Sequence, residues 1–378
     1  MKQALEWRDL SLVFVLLLLG AVFAVTAPQF LTARNLSMLI IEFSITSVLA
    51  LGMLLVILPG HVDLSAGSGV GLIGGIAAVL IIRSQVPAPL ALLVGLAAAV
   101  ALWRAMGTLI VTQGIPAFIV TLGGLLVFKG LFWLVIRNTT VPVSPGGAQN
   151  LFSVLTTYYV PPHASLLLAA LLAALLAYAS YRSHLSLRRS GGAGPDPELR
   201  FLRWLVTAQA IAVVALICSE FRGLPLPALL LSAVAAAVHV LTRHTRFGRY
   251  LYAIGGNEEA AVLSGIPVRG VVIRAFTLMG GVVALTGFLQ TAYAGASTTT
   301  VGELMELDAV AACVIGGASL RGGRGTVPGV LLGGFIMATL LNGLSLLAVP
   351  PEARFIARGA VLGLAAWLDV LLSREKRG

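Results

Sequence analysis

Charge is the scarcest resource in this sequence. Only 11% of its 378 residues are Asp, Glu, Lys or Arg, while 58% are apolar. Soluble domains carry about 25% charged residues, and a chain of this length folded in water would need them on its surface. The shortage argues against a soluble fold and makes lipid the solvent for most of the chain. Cysteine is nearly absent as well. Cys218 and Cys313 both sit in apolar runs, which argues against a disulfide framework or a metal cluster. They read as small apolar residues in packed helices. Acidic residues are fewer than basic ones, 15 against 25, for a net charge of +10. No basic run carries aromatics suited to base stacking, so the excess points to membrane topology and to no nucleic-acid partner.

The usual patterns of chemistry are missing too. There is no Gly-x-x-x-x-Gly-Lys-Ser/Thr phosphate loop. Gly322-Gly323-Arg324-Gly325 lacks the Lys-Ser/Thr that would reach phosphate and magnesium, and reads as a tight turn between two membrane segments. No two of His61, His163, His184, His239 and His244 have a metal-ligand spacing. His61 and Asp63, two apart, would not face each other on a helix. No metal site and no directly bound cofactor are expected. No loop is long enough to hold a nucleotide-binding domain.

What the chain does contain is bilayer-length apolar runs of about 17–25 residues. They lie near 10–27, 37–58, 88–111, 115–136, 164–181, 203–219, 225–241, 270–292, 325–348 and 354–373. Lys2 and Arg8 precede the first, which reads as an uncleaved span. Two shorter runs, 67–82 and 307–319, are either full spans or half-helices buried among the others. The fold class expected is all-α: a polytopic membrane protein of ten to twelve transmembrane helices, one transmembrane domain over 1–378, in the inner or plasma membrane. With the N-terminus inside and every segment crossing, 18 of the 25 basic residues fall on the inner side, 6 on the outer, and Lys129 within a span. That bias puts both termini in the cytoplasm.

Two cytoplasmic segments stand out. Residues 182–203 are basic around a Ser-Gly-Gly-Ala-Gly-Pro centre, and read as a flexible linker. Residues 242–269 contain a self-contained helix of about two turns. Asn257 is a favoured N-cap. Glu258 and Glu259 fall in the first turn, where the helix dipole favours acids. Ala260 and Ala261 are helix formers of minimal bulk. Gly265 stands where a left-handed cap belongs, and Pro267 stops the helix. Such a helix has no core of its own, and its alanines suit close approach to another protein.

Glu259-Ala260-Ala261 followed by Gly265 resembles the coupling loop of ABC importer permeases, in the form Gly-x-Asn-Glu-x-Ala-x-x-x-Ser-Gly-Ile of the ribose/xylose-type sugar permeases, from Gly255 through Ile266. Pro59-Gly60-His61-Val62-Asp63-Leu64-Ser65-Ala66-Gly67-Ser68 resembles that family's Gly-Gly-Ile-Asp-Leu-Ser-Val-Gly-Ser signature. The run from Glu306 to Leu320, continued by Gly322-Gly323-Arg324-Gly325-Thr326, resembles its C-terminal signature. The three occur in order, and the resemblance covers nearly the whole chain. The 182–203 loop and Pro59-Gly60-His61 lean toward the xylose branch. His61 departs from the small or apolar residue of many relatives.

The resemblance implies a non-catalytic transporter subunit working with an ABC ATPase, an external sugar-binding protein and a second copy of itself, with ATP and Mg used by the ATPase. It makes Gly255, Asn257, Glu258, Glu259, Ala260, Ala261 and Gly265 the ATPase-coupling residues. Asp63, Ser65 and Gly67 become candidates for the translocation path or its gating. An acid near the membrane interior is a functional-site hypothesis by default. Asp63 or Ser65 would cap the helix that follows, and a direct sugar contact is the competing role. Glu42, Glu303, Glu306 and Asp308 read as solvated residues near span ends. Gly123-Gly124 and Gly280-Gly281 suit close helix packing. An ion-coupled secondary transporter would also explain Asp63 and the half-helices, but the inverted repeats of that group are not evident. A membrane enzyme acting on lipid-linked sugar would need paired acids or a metal set.

Overall fold

The computed structural model describes residues 2–144, 146, 148–189 and 197–374. They form helices α1 (Lys2–Thr26), α2 (Ala33–Ile57), α3 (Ala66–Ile82), α4 (Ala88–Gln113), α5 (Ala117–Ile136), α6 (Leu151–Thr157), α7 (Pro162–Arg189), α8 (Pro197–Ser219), α9 (Leu226–His244), α10 (Arg246–Gly256), α11 (Glu258–Leu263), α12 (Val268–Ala294), α13 (Met305–Ile315), α14 (Val327–Leu346) and α15 (Pro351–Arg374). Two-residue strands β1 (Val141–Pro142), β2 (Tyr159–Val160), β3 (Leu224–Pro225) and β4 (Ala296–Ser297) pair antiparallel, β1 with β4 and β2 with β3. The protein is a helical membrane protein: among the described residues six helices (α2, α4, α5, α9, α12 and α14) are long and apolar enough to cross a bilayer, and shorter apolar stretches lie in α1, α3, α7 and α8.

Every expected run falls on a helix, and the boundaries follow local chemistry. The Thr32 side chain accepts the Asn35 N–H to open α2, and prolines in the first turn open α4, α9 and α14. Gly114 and Gly295, at φ 65° and 73°, end α4 and α12. α2 is mostly apolar and buried along most of its length, as suits a helix surrounded by other helices. It packs against α12, α14, α13 and α9.

The two ambiguous runs become buried helices of different kinds. α3 has 17 residues and is enclosed by α5, α12 and α4. α13 has 11 residues, about 16 Å at 1.5 Å per residue, too short to cross a hydrocarbon core of about 30 Å. Residues 298–304 lead into it without regular structure, which a membrane protein tolerates where neighbouring protein encloses the backbone. Of the expected linker, 182–189 continue α7 and 197–203 begin α8; 190–196 lie outside the described residues. Both cysteines are buried, and Cys313 Sγ lies 3.2 Å from the Ala50 carbonyl.

Candidate functional site

The three segments that carry the resemblance lie far apart in sequence and meet at one face. α2 ends in a left-handed turn: the Gly60 N–H donates to the Ile57 carbonyl, the His61 N–H to the Val56 carbonyl, and Gly60 has φ 93°. The Leu58 carbonyl on that turn accepts the Gly323 N–H at 2.9 Å. Gly255, in the last turn of α10, closes the joint. A Cβ on Gly255 would occupy the space of the Leu58 carbonyl and the Gly322–Gly323 backbone. Tyr252 Oη donates to the Gly325 carbonyl at 2.8 Å. Burial pushes the Tyr252 phenol above its ordinary range, against a smaller pull from Arg243, so the donor stays protonated at neutral pH. The turn read at 322–325 is present, with all three glycines at positive φ.

α10 is absent from the sequence reading, which placed a single helix in 242–269. Its signals are there in hindsight. Thr245 caps it by accepting the Gly248 N–H, and Leu251 and Ile254 turn a buried face inward. Gly255 lies in the last turn of α10, before α11 begins, and its close contacts are made within the chain.

α11 forms as its residues dictate. Asn257 Oδ1 accepts the Ala260 N–H at 2.9 Å. Glu258 and Glu259 occupy the first turn. The C-terminus closes by two bonds, Gly265 N–H to the Val262 carbonyl and Ile266 N–H to the Ala261 carbonyl, with Gly265 at φ 76°. This is the Schellman arrangement, and glycine meets its left-handed residue without a Cβ penalty. Asn257, Glu258, Glu259 and Ala260 are exposed, whereas Ala261 is buried in its own chain. The large apolar side chains that α11 exposes are Val262 and Leu263, the latter 89% exposed. Sequence reasoning passed over both. A 600 Å³ cleft separates α11 from the α4–α5 turn, with His61, Pro116, Phe118, Glu258, Val262 and Arg269 on its walls. Burial lowers the His61 pKa while the Glu258 charge opposes it, and the ring packs beside Phe276 with centroids 6.3 Å apart.

Open space surrounds Gly265, so a substitution there tests the backbone alone. Gly265→Ala is expected to cost about 1–2 kcal/mol and Asn257→Ala about 1 kcal/mol. The measurement is amide hydrogen exchange. α11 should lose protection in both variants while α12 keeps its own; unchanged α11 exchange would refute the capping account.

Asp63 is fully enclosed. Its Oδ1 accepts the Ser65 N–H at 2.9 Å and the Ser65 hydroxyl at 2.6 Å; its Oδ2 accepts Trp103 Nε1–H from α4 at 2.5 Å. Thr121 of α5 donates to the adjacent Val62 carbonyl at 3.2 Å. The 59–65 turn is thus tied to α4 and α5 by groups that reach it from 40 and 59 residues away. Ser65 stands at the N-cap of α3 but makes no side-chain cap bond, because its hydroxyl is turned to Asp63. Gly67 lies two residues further on, in the first turn of α3, against the Gly302 carbonyl and the Glu306 carboxyl, which occupy the place of a Cβ.

Glu306 and Asp308 are corrections. Both are buried, not solvated: Glu306 presses on Gly67, and Asp308 pairs with Arg358 of α15 at 3.4 Å. Glu42 is part-buried in α2, accepting Tyr293 Oη–H at 2.9 Å. Glu303 is exposed as expected, but paired with Lys129. Gly280 meets the Ala99 carbonyl and the Trp103 Cβ, and Gly124 meets Met106 and Ser65, as close packing requires; Gly123 and Gly281 have open space.

The family model described as "Branched-chain amino acid transport system / permease component" matches residues 35–366. The xylose transport system permease protein of Escherichia coli (strain K12) is 38% identical over 352 residues, 93% of this chain and 88% of that protein. The xylose transport system permease protein of Haemophilus influenzae is 37% identical over 348 residues, 91% of each chain. The ribose import permease protein of Escherichia coli (strain K12) is 30% identical over 354 residues, 94% of this chain and 91% of that one. No solved structure matches. A full-length match of this kind, with all three signatures folded onto one face, leaves a single assignment: the chain belongs to the permease-component family of ABC importers, in its ribose/xylose-type branch.

Proposed function

We propose that this chain is the membrane-spanning subunit of an ATP-driven importer that carries xylose or a similar monosaccharide inward across the plasma membrane. The printed substrates of its relatives are xylose at 38% and ribose at 30% identity, which supports a pentose over the amino acid of the family description. The whole chain, 1–378, acts as one transmembrane domain of ten to twelve crossing segments with cytoplasmic termini. Two observations support that topology. Both strand pairs join segments that the basic-residue count puts outside, and the joint of Leu58, Gly255 and Gly323 joins segments that it puts inside.

The single observation that carries the coupling role is the surface of α11. A capped two-turn helix outside the spans presents Val262 and Leu263 bare to water, flanked by Glu258 and Glu259. Exposed apolar side chains on a rigid element with a polar rim are the anatomy of a docking site. The partner is an ABC ATPase, which binds and hydrolyses ATP with Mg. The 242–269 segment passes its closure through α10 and the Gly255 joint to the 59–65 turn and α3. An external sugar-binding protein delivers the solute, and a second copy of this chain completes the pathway. Asp63, Ser65 and Gly67 hold the N-terminal end of α3, so that this half of the gate moves as one piece.

The test is detergent co-purification with the ABC ATPases encoded beside this chain. Leu263→Glu and Glu259→Lys are expected to weaken the complex by 2 kcal/mol or more each, about thirtyfold, as central interface residues do, with the melting temperature of the isolated permease unchanged. A complex that survives both substitutions would refute the assignment of α11. Uptake that follows an ion gradient in the absence of any ATPase would replace the importer reading with a secondary transporter.

A further inference from the structure

Lys129 sits in α5, seven residues before its C-terminal end, about 10 Å at 1.5 Å per residue. Its Nζ lies 3.5 Å from Glu303 Oε1, and the two side chains are 36% and 42% exposed. A half-exposed ion pair at this depth cannot face hydrocarbon, where a charged side chain costs several kcal/mol. That face must be wet or covered by protein. Beside the pair is a cavity of 140 Å³, whose wall includes Ser68, Lys129, Phe132, Thr299, Glu303 and Glu306. It joins the N-terminal turns of α3, the middle of α5 and the irregular 299–304 segment, and so touches both short buried helices at once.

The lining is amphipathic in a particular way. Two carboxyls and two hydroxyls can accept hydrogen bonds, the Lys129 ammonium and the hydroxyls can donate, and the half-buried Leu125 and Leu304 offer an apolar surface. Neighbouring hydroxyls on a sugar ring are met by such acceptors and donors, and the ring's C–H face by the leucines. The volume suits one small ring. The lysine's charge offsets part of the acidic charge, which suits an uncharged solute.

We propose that this cavity is a transit site for a single uncharged monosaccharide on the wall of the translocation pathway, with Lys129 and Glu303 as its hydrogen-bonding pair. This rests on the reading of the chain as a sugar-permease subunit. The site is separate from Asp63, whose hydrogen bonds are all internal. During transport the sugar inserts between Lys129 and Glu303, replacing their long mutual contact with bonds to its own hydroxyls.

The test uses the full complex of permease, ATPase and binding protein in proteoliposomes, with D-xylose and D-ribose as probes. Thr299→Cys is labelled with a water-soluble maleimide; the two native cysteines are buried. Saturating sugar during turnover should slow the labelling about tenfold, and should not change it at Leu134→Cys, an exposed position elsewhere on α5. Glu303→Gln should raise the KM for uptake about tenfold, the loss of one charge-assisted hydrogen bond, with assembly of the complex intact. Sugar-independent labelling of Thr299→Cys together with an unchanged KM in Glu303→Gln would overturn the proposal while wild-type uptake continued. Failure of the wild-type complex to take up either sugar would instead overturn the sugar-importer reading beneath it.

Discussion

Gly255→Val is expected to destroy the folded permease, and uptake with it, rather than to loosen its hold on an ATPase. Its missing Cβ position is occupied by the Leu58 carbonyl on one side and the Gly322–Gly323 backbone on the other. Overpacking a core usually costs about 1–3 kcal/mol because side chains shift aside. Here the obstacles are backbone, and the Leu58 carbonyl already accepts the Gly323 N–H. Making room breaks that bond and separates α2, α10 and the 322–325 turn together, so the cost should lie at or above the top of that range. Thermal unfolding in detergent reads it directly. Gly256→Val is the control, one residue on with open space around it, and should leave the melting temperature within a few degrees of wild type. Equal melting temperatures for Gly255→Val and wild type would refute the joint.

What could be read from the sequence divides at the range of the interaction concerned. α11 was legible to the residue because its cap, first-turn acids and left-handed glycine all act within ten positions of each other. The apolar runs were legible because lipid imposes a length on them. Gly255, by contrast, carries no local mark of its role. It sits in the same motif as Asn257 and Glu259, and only the approach of Leu58 and Gly322, far away in the chain, makes it a packing residue. Glu306 and Asp308 were misread for the same reason: an acid at the edge of an apolar run looks solvated until the distant groups that cover it, Gly67 and Arg358, are known. α10 carries only a faint local mark: its buried Leu251 and Ile254 are too few to set a period in an 11-residue helix. The Lys129–Glu303 pair spans 174 residues, and no spacing rule connects its members.

Asp63→Ala is the second change with a large expected effect, and it separates two roles that the sequence left open. If Asp63 is an anchor, its removal strands the Ser65 N–H and hydroxyl and the Trp103 indole N–H in a space closed to water. Each such orphaned group costs about 1–3 kcal/mol, and three of them are stranded together. The turn at 59–65 would then come away from α4, and α3 would lose its fixed starting point. Asp63→Asn is the sharper variant. Its carbonyl oxygen can still accept from Ser65, but its amide would set a donor against the Trp103 donor, so it should be intermediate in stability. A cycle of Asp63→Ala with Trp103→Phe should show a coupling of about 1–3 kcal/mol, since the two share one bond. An Asp63 that acted by touching solute would behave differently: Asp63→Asn would raise the KM for uptake with the melting temperature intact, and the cycle with Trp103 would be additive. The enclosure of Asp63 by three internal hydrogen bonds favours the first pattern. In that case the carboxyl's contribution to transport is mechanical. It fixes the N-terminal end of α3 to α4, which is what the proposed coupling through α11 and the Gly255 joint requires.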